Sequence, residues 1–285
     1  MRVRLAAGLL ISCLTASLIG SVPARASSPE LVGLEQELSM LLAGRPGEYG
    51  IAALDLRSGS SVAVNGDTSF PMASTVKVAI AATYLAEVDQ GRRSLDDVVA
   101  GRPAAKLMEL MIVRSDNVAA DRLLASLGGP VALQQWLRSR EITGIRVDRT
   151  IAQLLRDRGH LADSRDVATP NAMVTLLYKL NNGNVLTDGS RTLLFELMGR
   201  CSTGTRRIRA LLPTGTRVED KTGTLDGVTN DVGVVTMPDG HRVALAIFSR
   251  GGRDRQSGIA QLARAIYDRF ADTTHSALDA FMRLR

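Results

Sequence analysis

Three short groups of residues have the types and spacing for proton transfer onto a serine: Ser74-Thr75-Val76-Lys77, Ser115-Asp116-Asn117 and Lys221-Thr222-Gly223. Of the 35 lysines and arginines in the 285 residues, only Lys77, Lys106, Lys179 and Lys221 are lysines, and two of these four sit in the groups. An amine gives up its proton when it is desolvated or crowded by other cations, whereas a guanidinium effectively does not. A serine hydroxyl is a weak nucleophile until a base removes its proton. Ser74 and Lys77 share a face when helical, so Lys77 is the candidate base, its pKa lowered by a second cation such as Lys221. Ser115 suits a proton shuttle to a leaving group, and Asn117 suits a hold on a substrate amide. A helix beginning at Ser74 leaves backbone N–H groups free for an oxyanion, with the strand backbone at Thr224 as the other donor. Each group alone has an ordinary explanation, since Asp116 and Asn117 are common helix caps. The three in this order, each in a fitting local setting, favour the catalytic reading.

These groups need elements to hold them. Ser28-Pro29 opens a helix carrying Leu31, Leu34, Leu38 and Leu41 on one face. Strand-like runs follow at residues 49–56 and 61–65, joined by the polar turn Arg57-Ser58-Gly59-Ser60. From Thr75 to about Phe195 the pattern is mostly helical, punctuated by Gly128-Gly129-Pro130, Thr169-Pro170 and Asn181-Asn182-Gly183. Strands return at residues 231–237 and 242–248, flanking Pro238-Asp239-Gly240 as a hairpin. Ile259, Leu262, Ala263, Ile266 and Phe270 mark an amphipathic closing helix. The expectation is an α/β (α+β) fold: one antiparallel sheet from both termini, flanked by helices, with an inserted all-helical lobe. The sheet lobe is read as residues 27–70 and 205–285 and the helical lobe as 71–204, with the site in the cleft between them.

The bulk composition narrows the function classes. Arg2 and Arg4, an apolar run over residues 5–19 and Ala24-Arg25-Ala26 read as a signal peptide spanning residues 1–26. The run is short for a membrane span and carries Ser12, Thr15 and Ser17. Leu10-Ile11-Ser12-Cys13 is a weaker lipoprotein-like alternative. An exported, periplasmic or extracellular protein without a stable membrane span is expected. The formal charge of +6 becomes +3 once the three arginines of that segment are removed. With few aromatics and no long basic run, nucleic-acid binding has little support. Cys201 is the one cysteine beyond the leader, so no internal disulfide forms. No cofactor or metal is implied, His241 and His275 lacking a ligand or triad setting, and a monomer is expected.

The motifs support a resemblance. Phe70-Pro71-Met72-Ala73-Ser74-Thr75-Val76-Lys77-Val78, Ser115-Asp116-Asn117-Val118-Ala119-Ala120, Leu127-Gly128-Gly129-Pro130, Thr203-Gly204, Arg207-Ile208-Arg209-Ala210 and Asp220-Lys221-Thr222-Gly223-Thr224 together resemble the class A β-lactamases, among the penicillin-recognising serine enzymes. The resemblance spans nearly all of the chain after the leader. It implies Ser74 as acylated nucleophile, Lys77 as proton acceptor, Ser115 as relay and Asn117 as binder of the substrate's side-chain amide. It implies that Lys221, Thr222 and Arg207, with Gly223 and Thr224 on the same strand, hold a β-lactam or an acyl-D-amino acid group. Arg207 is read with equal weight as a structural surface arginine, since most arginines are simply exposed.

Two departures stand out. The family's loop after the helical lobe reads Asp-Arg-x-Glu, with an asparagine four residues after the glutamate, and these two hold the deacylating water. Here the stretch is Asp148-Arg149-Thr150-Ile151-Ala152-Gln153-Leu154-Leu155, so Ile151 and Leu155 occupy those two slots. Arg149 remains, with Asp166 as its expected partner across the loop. Asp157, His160 and Gln153 are candidate replacement bases, read first as solvated loop residues. Residues 91–110 are also compact and free of aromatics, which predicts a more open cleft. The resulting expectation is a serine hydrolase of β-lactamase type whose deacylation is slow or uses an atypical base. A D-Ala-D-Ala peptidase-like enzyme and a non-hydrolysing sensor of β-lactams or peptidoglycan are the alternatives.

Overall fold

The computed structural model describes residues 29–157, 163–183 and 185–282. The leader read at residues 1–26 and the segment Arg158-Gly159-His160 lie outside the described residues.

Helix α1 (Pro29–Ala43) precedes strands β1 (Glu48–Asp55) and β2 (Ser61–Val64). The short β3 (Phe70–Pro71) then enters a 3₁₀ turn, Ala73–Val76, that runs directly into α2 (Lys77–Asp89). A two-strand clip of β4 (Val98–Val99) and β5 (Arg102–Pro103) leads to α3 (Ala104–Val113), α4 (Asn117–Ser126) and α5 (Gly129–Ser139). After α6 (Ile151–Asp157), β6 (Val167–Ala168) pairs back onto β3, with Phe70 opposite Ala168 and Pro71 opposite Val167. Helices α7 (Pro170–Asn181) and α8 (Asp188–Gly199) follow, then strands β7 (Val218–Leu225), β8 (Val228–Thr236) and β9 (Arg242–Arg250), and α9 (Arg255–Met282).

The five long strands form one antiparallel sheet in the order β2-β1-β9-β8-β7, so chain ends distant in sequence share a sheet. Its central strands are buried on both faces, which explains their nearly unbroken apolar runs. Alternation divides each strand between two cores. Ala52, Val232, Val234, Ala244, Ala246 and Phe248 face the helices of the middle of the chain, packing with Val78, Leu85, Met173 and Leu177. Ile51, Ala53, Val235, Val243, Leu245 and Ile247 face α1 and α9, meeting Leu34, Leu38, Ile259, Leu262, Ile266 and Phe270.

Strand β8 begins at Val228, three residues before the start expected from hydropathy. Thr229, Asn230 and Asp231 are buried there, with polar partners that sequence spacing does not reveal. Gly128, read as punctuation, takes φ +97° between α4 and α5, a conformation open to glycine at no steric cost. Cys201 is buried and unpaired.

Candidate active site

The three sequence groups converge from three kinds of element. Ser74 lies in the 3₁₀ turn and Lys77 is the first residue of α2, so hydroxyl and amine straddle a helix junction. Ser115 and Asp116 form the α3–α4 connection. Asp116 is also the helix cap that its type suggests, its Oδ1 accepting the Ala119 N–H at 2.7 Å. Lys221, Thr222 and Gly223 lie on β7, one of the two edge strands of the sheet.

Register decides which face of β7 each residue serves. Lys221 lies opposite Val232 and therefore faces the helical side. Its Nζ donates to Ser115 Oγ at 2.9 Å and to Thr222 O at 2.9 Å. From the other wall Lys77 Nζ donates to Ser115 O at 2.6 Å, Asn117 Oδ1 at 2.6 Å and Ser115 Oγ at 3.2 Å. The Ser115 hydroxyl thus lies between two amines. With both lone pairs accepting, its single hydrogen is directed to a third partner.

Lys77 and Lys221 are fully buried. Burial, and then the neighbouring Lys221 ammonium, push the Lys77 ammonium down to about 7, against opposing attraction from Asp116 and Asp121. Burial also lowers the Lys221 ammonium. An amine that titrates near neutrality is a workable proton acceptor. No side-chain hydrogen bond among the described residues ties down Ser74 Oγ, and the three Lys77 bonds go to Ser115 and Asn117. A neutral Lys77 makes only two such bonds and has a lone pair to offer.

Backbone strain accumulates here. Ala73 and Ser115 take φ +50° and +57°, in the left-handed region that side chains disfavour. The turn is held by Asn230, whose Nδ2 donates to Pro71 O at 2.7 Å and Met72 O at 3.1 Å. A Cβ on Gly223 would stand 2.6 Å from Met72 O, so β7 approaches the nucleophile turn as closely as its backbone allows.

Thr222 and Asp231 share the opposite face of the sheet. Thr222 exchanges a hydroxyl hydrogen bond with Thr203. Arg207, 5% exposed, reaches the same strand from behind. Its Nη1 donates to Gly223 O at 3.1 Å and Asn230 O at 2.7 Å, and its Nη2 to Thr224 Oγ1 at 2.6 Å. Arg207 is therefore buried rather than at the surface, and these bonds brace β7. Asp231 accepts the Ile208 N–H at 3.2 Å, and burial followed by the neighbouring Asp220 raises its carboxyl well above the ordinary range. Thr224 itself is exposed.

The loop that carries Ile151 is fastened to this assembly. Met72 N donates to Asp166 O at 2.9 Å. Arg149 pairs with Asp166 at 2.6 Å, Asp157 at 2.9 Å and Asp163 at 3.0 Å. The first turn of α6 is clamped by Asp121 of α4, whose carboxylate accepts the Ile151 N–H at 2.7 Å and the Ala152 N–H at 2.8 Å. Thr150 and Gln153 close a reciprocal capping box, at 2.9 and 3.2 Å. Ile151 and Leu154 are buried, while Leu155 is 48% exposed. Of the candidate replacement bases, Gln153 is engaged in the cap, Asp157 is ion-paired with Arg149 and Arg165, and His160 lies outside the described residues. His241 is buried against Asp239 and Asp55, and no metal-binding cluster occurs among the described residues.

A sequence model of the β-lactamase enzyme family matches residues 33–270. The chain belongs to that family. It is a serine hydrolase of β-lactamase type, with the class A fold. The carbapenem-hydrolyzing β-lactamase KPC of Klebsiella oxytoca is 31% identical over 280 residues, covering 90% of this chain and 93% of that protein. The extended-spectrum β-lactamase PER-1 of Pseudomonas aeruginosa is 28% identical over 267 residues, 82% of this chain and 86% of its own. The class A β-lactamase of the last common ancestor of Gram-negative bacteria superposes with a TM-score of 0.78 at 36% identity. That match covers 84% of this chain and 99% of the other.

Sequence reading missed Asn230 and Asp121 in this β-lactamase fold, and gave Thr203 no role beyond the resemblance. Asn230 and Asp231 left a signal, being a polar pair inside an apolar strand run. Asp121 left a fainter one, four residues after Asn117 and so on the same face of α4.

Proposed function

We propose that this protein takes β-lactams or acyl-D-amino acid groups onto Ser74 as an acyl-enzyme and releases them slowly. Lys77, whose amine becomes neutral as pH rises through about 7, accepts the Ser74 proton. Ser115 relays a proton to the leaving nitrogen, and Asn117 receives the substrate's side-chain amide. Lys221 and Thr222 bind the carboxylate, with Gly223 and Thr224 presenting edge-strand backbone and Arg207 supporting them from behind. The N–H groups of Ser74 and Thr224 receive the oxyanion. The arginine-led apolar run ending in Ala24-Arg25-Ala26 supports export. Among the described residues no helix is long and apolar enough to cross a membrane.

One observation carries the slow release. Ile151 is 6% exposed and packed in the core, where the family resemblance places the base for water. The described carboxylates around it are all engaged: Asp121 on α6, and Asp148, Asp157, Asp163 and Asp166 with arginines. Loss of a positioned general base costs roughly 10²–10⁴ in rate. From a turnover near 10 s⁻¹, the acyl-enzyme then lasts on the order of 10–10³ s, from seconds to a quarter of an hour.

Intact mass measured over time after mixing with a penicillin tests the proposal. An adduct on Ser74 lasting on that scale is expected, and it would be absent from Ser74→Ala. Turnover with no adduct at any time would point to a working base, and neither adduct nor product from folded protein would remove the acylation reading itself.

A further inference from the structure

We infer that a cavity between α8 and the sheet, away from the catalytic cleft, binds a phosphate dianion, either free or as a small phosphomonoester. The cavity, of about 300 Å³, is lined by Arg191 and Thr192 of α8, by Arg217 and Glu219 at the entry to β7, by Thr236 at the end of β8 and by Arg242 at the start of β9. None of these residues belongs to the three catalytic groups, so the inference stands apart from the acylation reading.

Three guanidinium groups share this cavity with one buried carboxylate. Glu219, 1% exposed, is paired with Arg217 at 2.6 Å and with Arg242. Arg191 pairs at 2.9 Å with Asp188, whose side chain is 90% exposed, and such a contact is worth little in water. Three arginines and one glutamate leave the lining with an excess of two positive charges. The crowding is felt at Arg242. Burial lowers its guanidinium from the ordinary value, and Arg217 and Arg191 add to that against the attraction of Glu219. A bound anion relieves this repulsion.

The donors left over suit a tetrahedral anion. A guanidinium carries five N–H groups in a planar fork that meets phosphate oxygens two at a time. Arg217 turns Nε and Nη2 to Glu219, which leaves Nη1 for a ligand. Arg242 spends Nη2 on Glu219 and Nη1 on Asn181, and it lies 4.6 Å from the centre of the Phe195 ring, which fixes its plane. Thr192 and Thr236 line the same cavity, and no hydrogen bond among the described residues engages either hydroxyl. Charge selects the class of ligand. A single carboxylate leaves one positive charge unmatched, whereas a phosphomonoester carries about −1.5 to −2 near pH 7. Because the cavity joins α8 to three strands, an occupant ties the helical lobe to the sheet and stabilises the folded state.

Isothermal titration calorimetry near neutral pH in about 0.15 M NaCl, with inorganic phosphate and glycerol 3-phosphate as separate probes, tests the site. One saturable site is expected, with a melting temperature that climbs with probe concentration. Sodium sulfate, of the same charge and shape, should compete, and sodium acetate at the same concentration should not. Arg217→Gln and Arg191→Gln should each weaken binding at least about tenfold, with the ligand-free melting temperature and Ser74 acylation by a penicillin close to wild type. Arg191, whose partner is exposed, keeps the test open if Arg217→Gln does not fold. Equal affinity for the two probes assigns the site to the free dianion, and tighter glycerol 3-phosphate assigns it to an ester. Binding that survives both substitutions, or that acylation of Ser74 abolishes, puts the anion beside Lys77 and Lys221 in the cleft and overturns the inference. Equal competition by acetate overturns the choice of a dianion. No saturable binding of either probe, by heat or by melting temperature, removes the site altogether and leaves the acylation reading untouched.

Discussion

On the proposed acylation, Lys77 sets the working range of this enzyme at the scale of a single residue. Its amine serves as a proton acceptor only when neutral, and burial beside Lys221 brings that change to about 7. The acylation rate is therefore expected to rise with pH through about 7 and level off above, as read from single-turnover mass spectrometry between pH 5 and 9. Lys77→Arg, which keeps the charge but cannot lose it, should slow acylation by at least about 10². The same shift has a consequence for stability. Between about pH 7 and the ordinary lysine value of 10.5, the unfolded chain holds a proton that the folded one has lost. Stability rises with pH across that window. Urea unfolding of wild type against Lys77→Met should show the difference moving in favour of wild type from pH 7 to 10. A difference that is flat with pH would mean that Lys77 keeps its charge in the folded protein.

Between elements, the decisive contacts are those where backbone meets backbone. Strand β7 passes the nucleophile turn with room for no side chain at Gly223. Gly223→Ala should push the strand or the turn aside, costing about 1–3 kcal/mol, and should slow acylation far more than it lowers the melting temperature. The loop carrying α6 depends on Arg149, buried among three carboxylates. Arg149→Ala leaves buried Asp166 without its partner and should cost about 3–5 kcal/mol, seen as a lower melting temperature and as faster hydrogen exchange at the Ile151 and Ala152 amides. Unchanged exchange there would show that Asp121 and the Thr150–Gln153 cap suffice to hold α6.

At the scale of the whole molecule, the sheet joins the chain's two ends, so neither end is dispensable. Ile259, Leu262, Ile266 and Phe270 of α9 are each at most 3% exposed. Losing these four burials removes roughly 8 kcal/mol, comparable with the entire stability of a typical domain. Truncation before Arg255 should leave no cooperative thermal transition by circular dichroism.

The sequence by itself determined a mostly helical middle between strand-bearing ends, the three motif groups and the Ile151 in the loop, because these are written in local periodicity and residue type. Two of only four lysines, in a chain that otherwise uses arginine, already marked the motifs as candidates for proton transfer. Tertiary structure alone decided that Lys77 bonds to Ser115 and Asn117, and that Arg207 braces β7 from behind. It also revealed that Asn230 ties the nucleophile turn and that Asp121 clamps α6. These contacts join residues distant in sequence, and their geometry follows from strand register and helix packing, neither of which any short window of sequence contains.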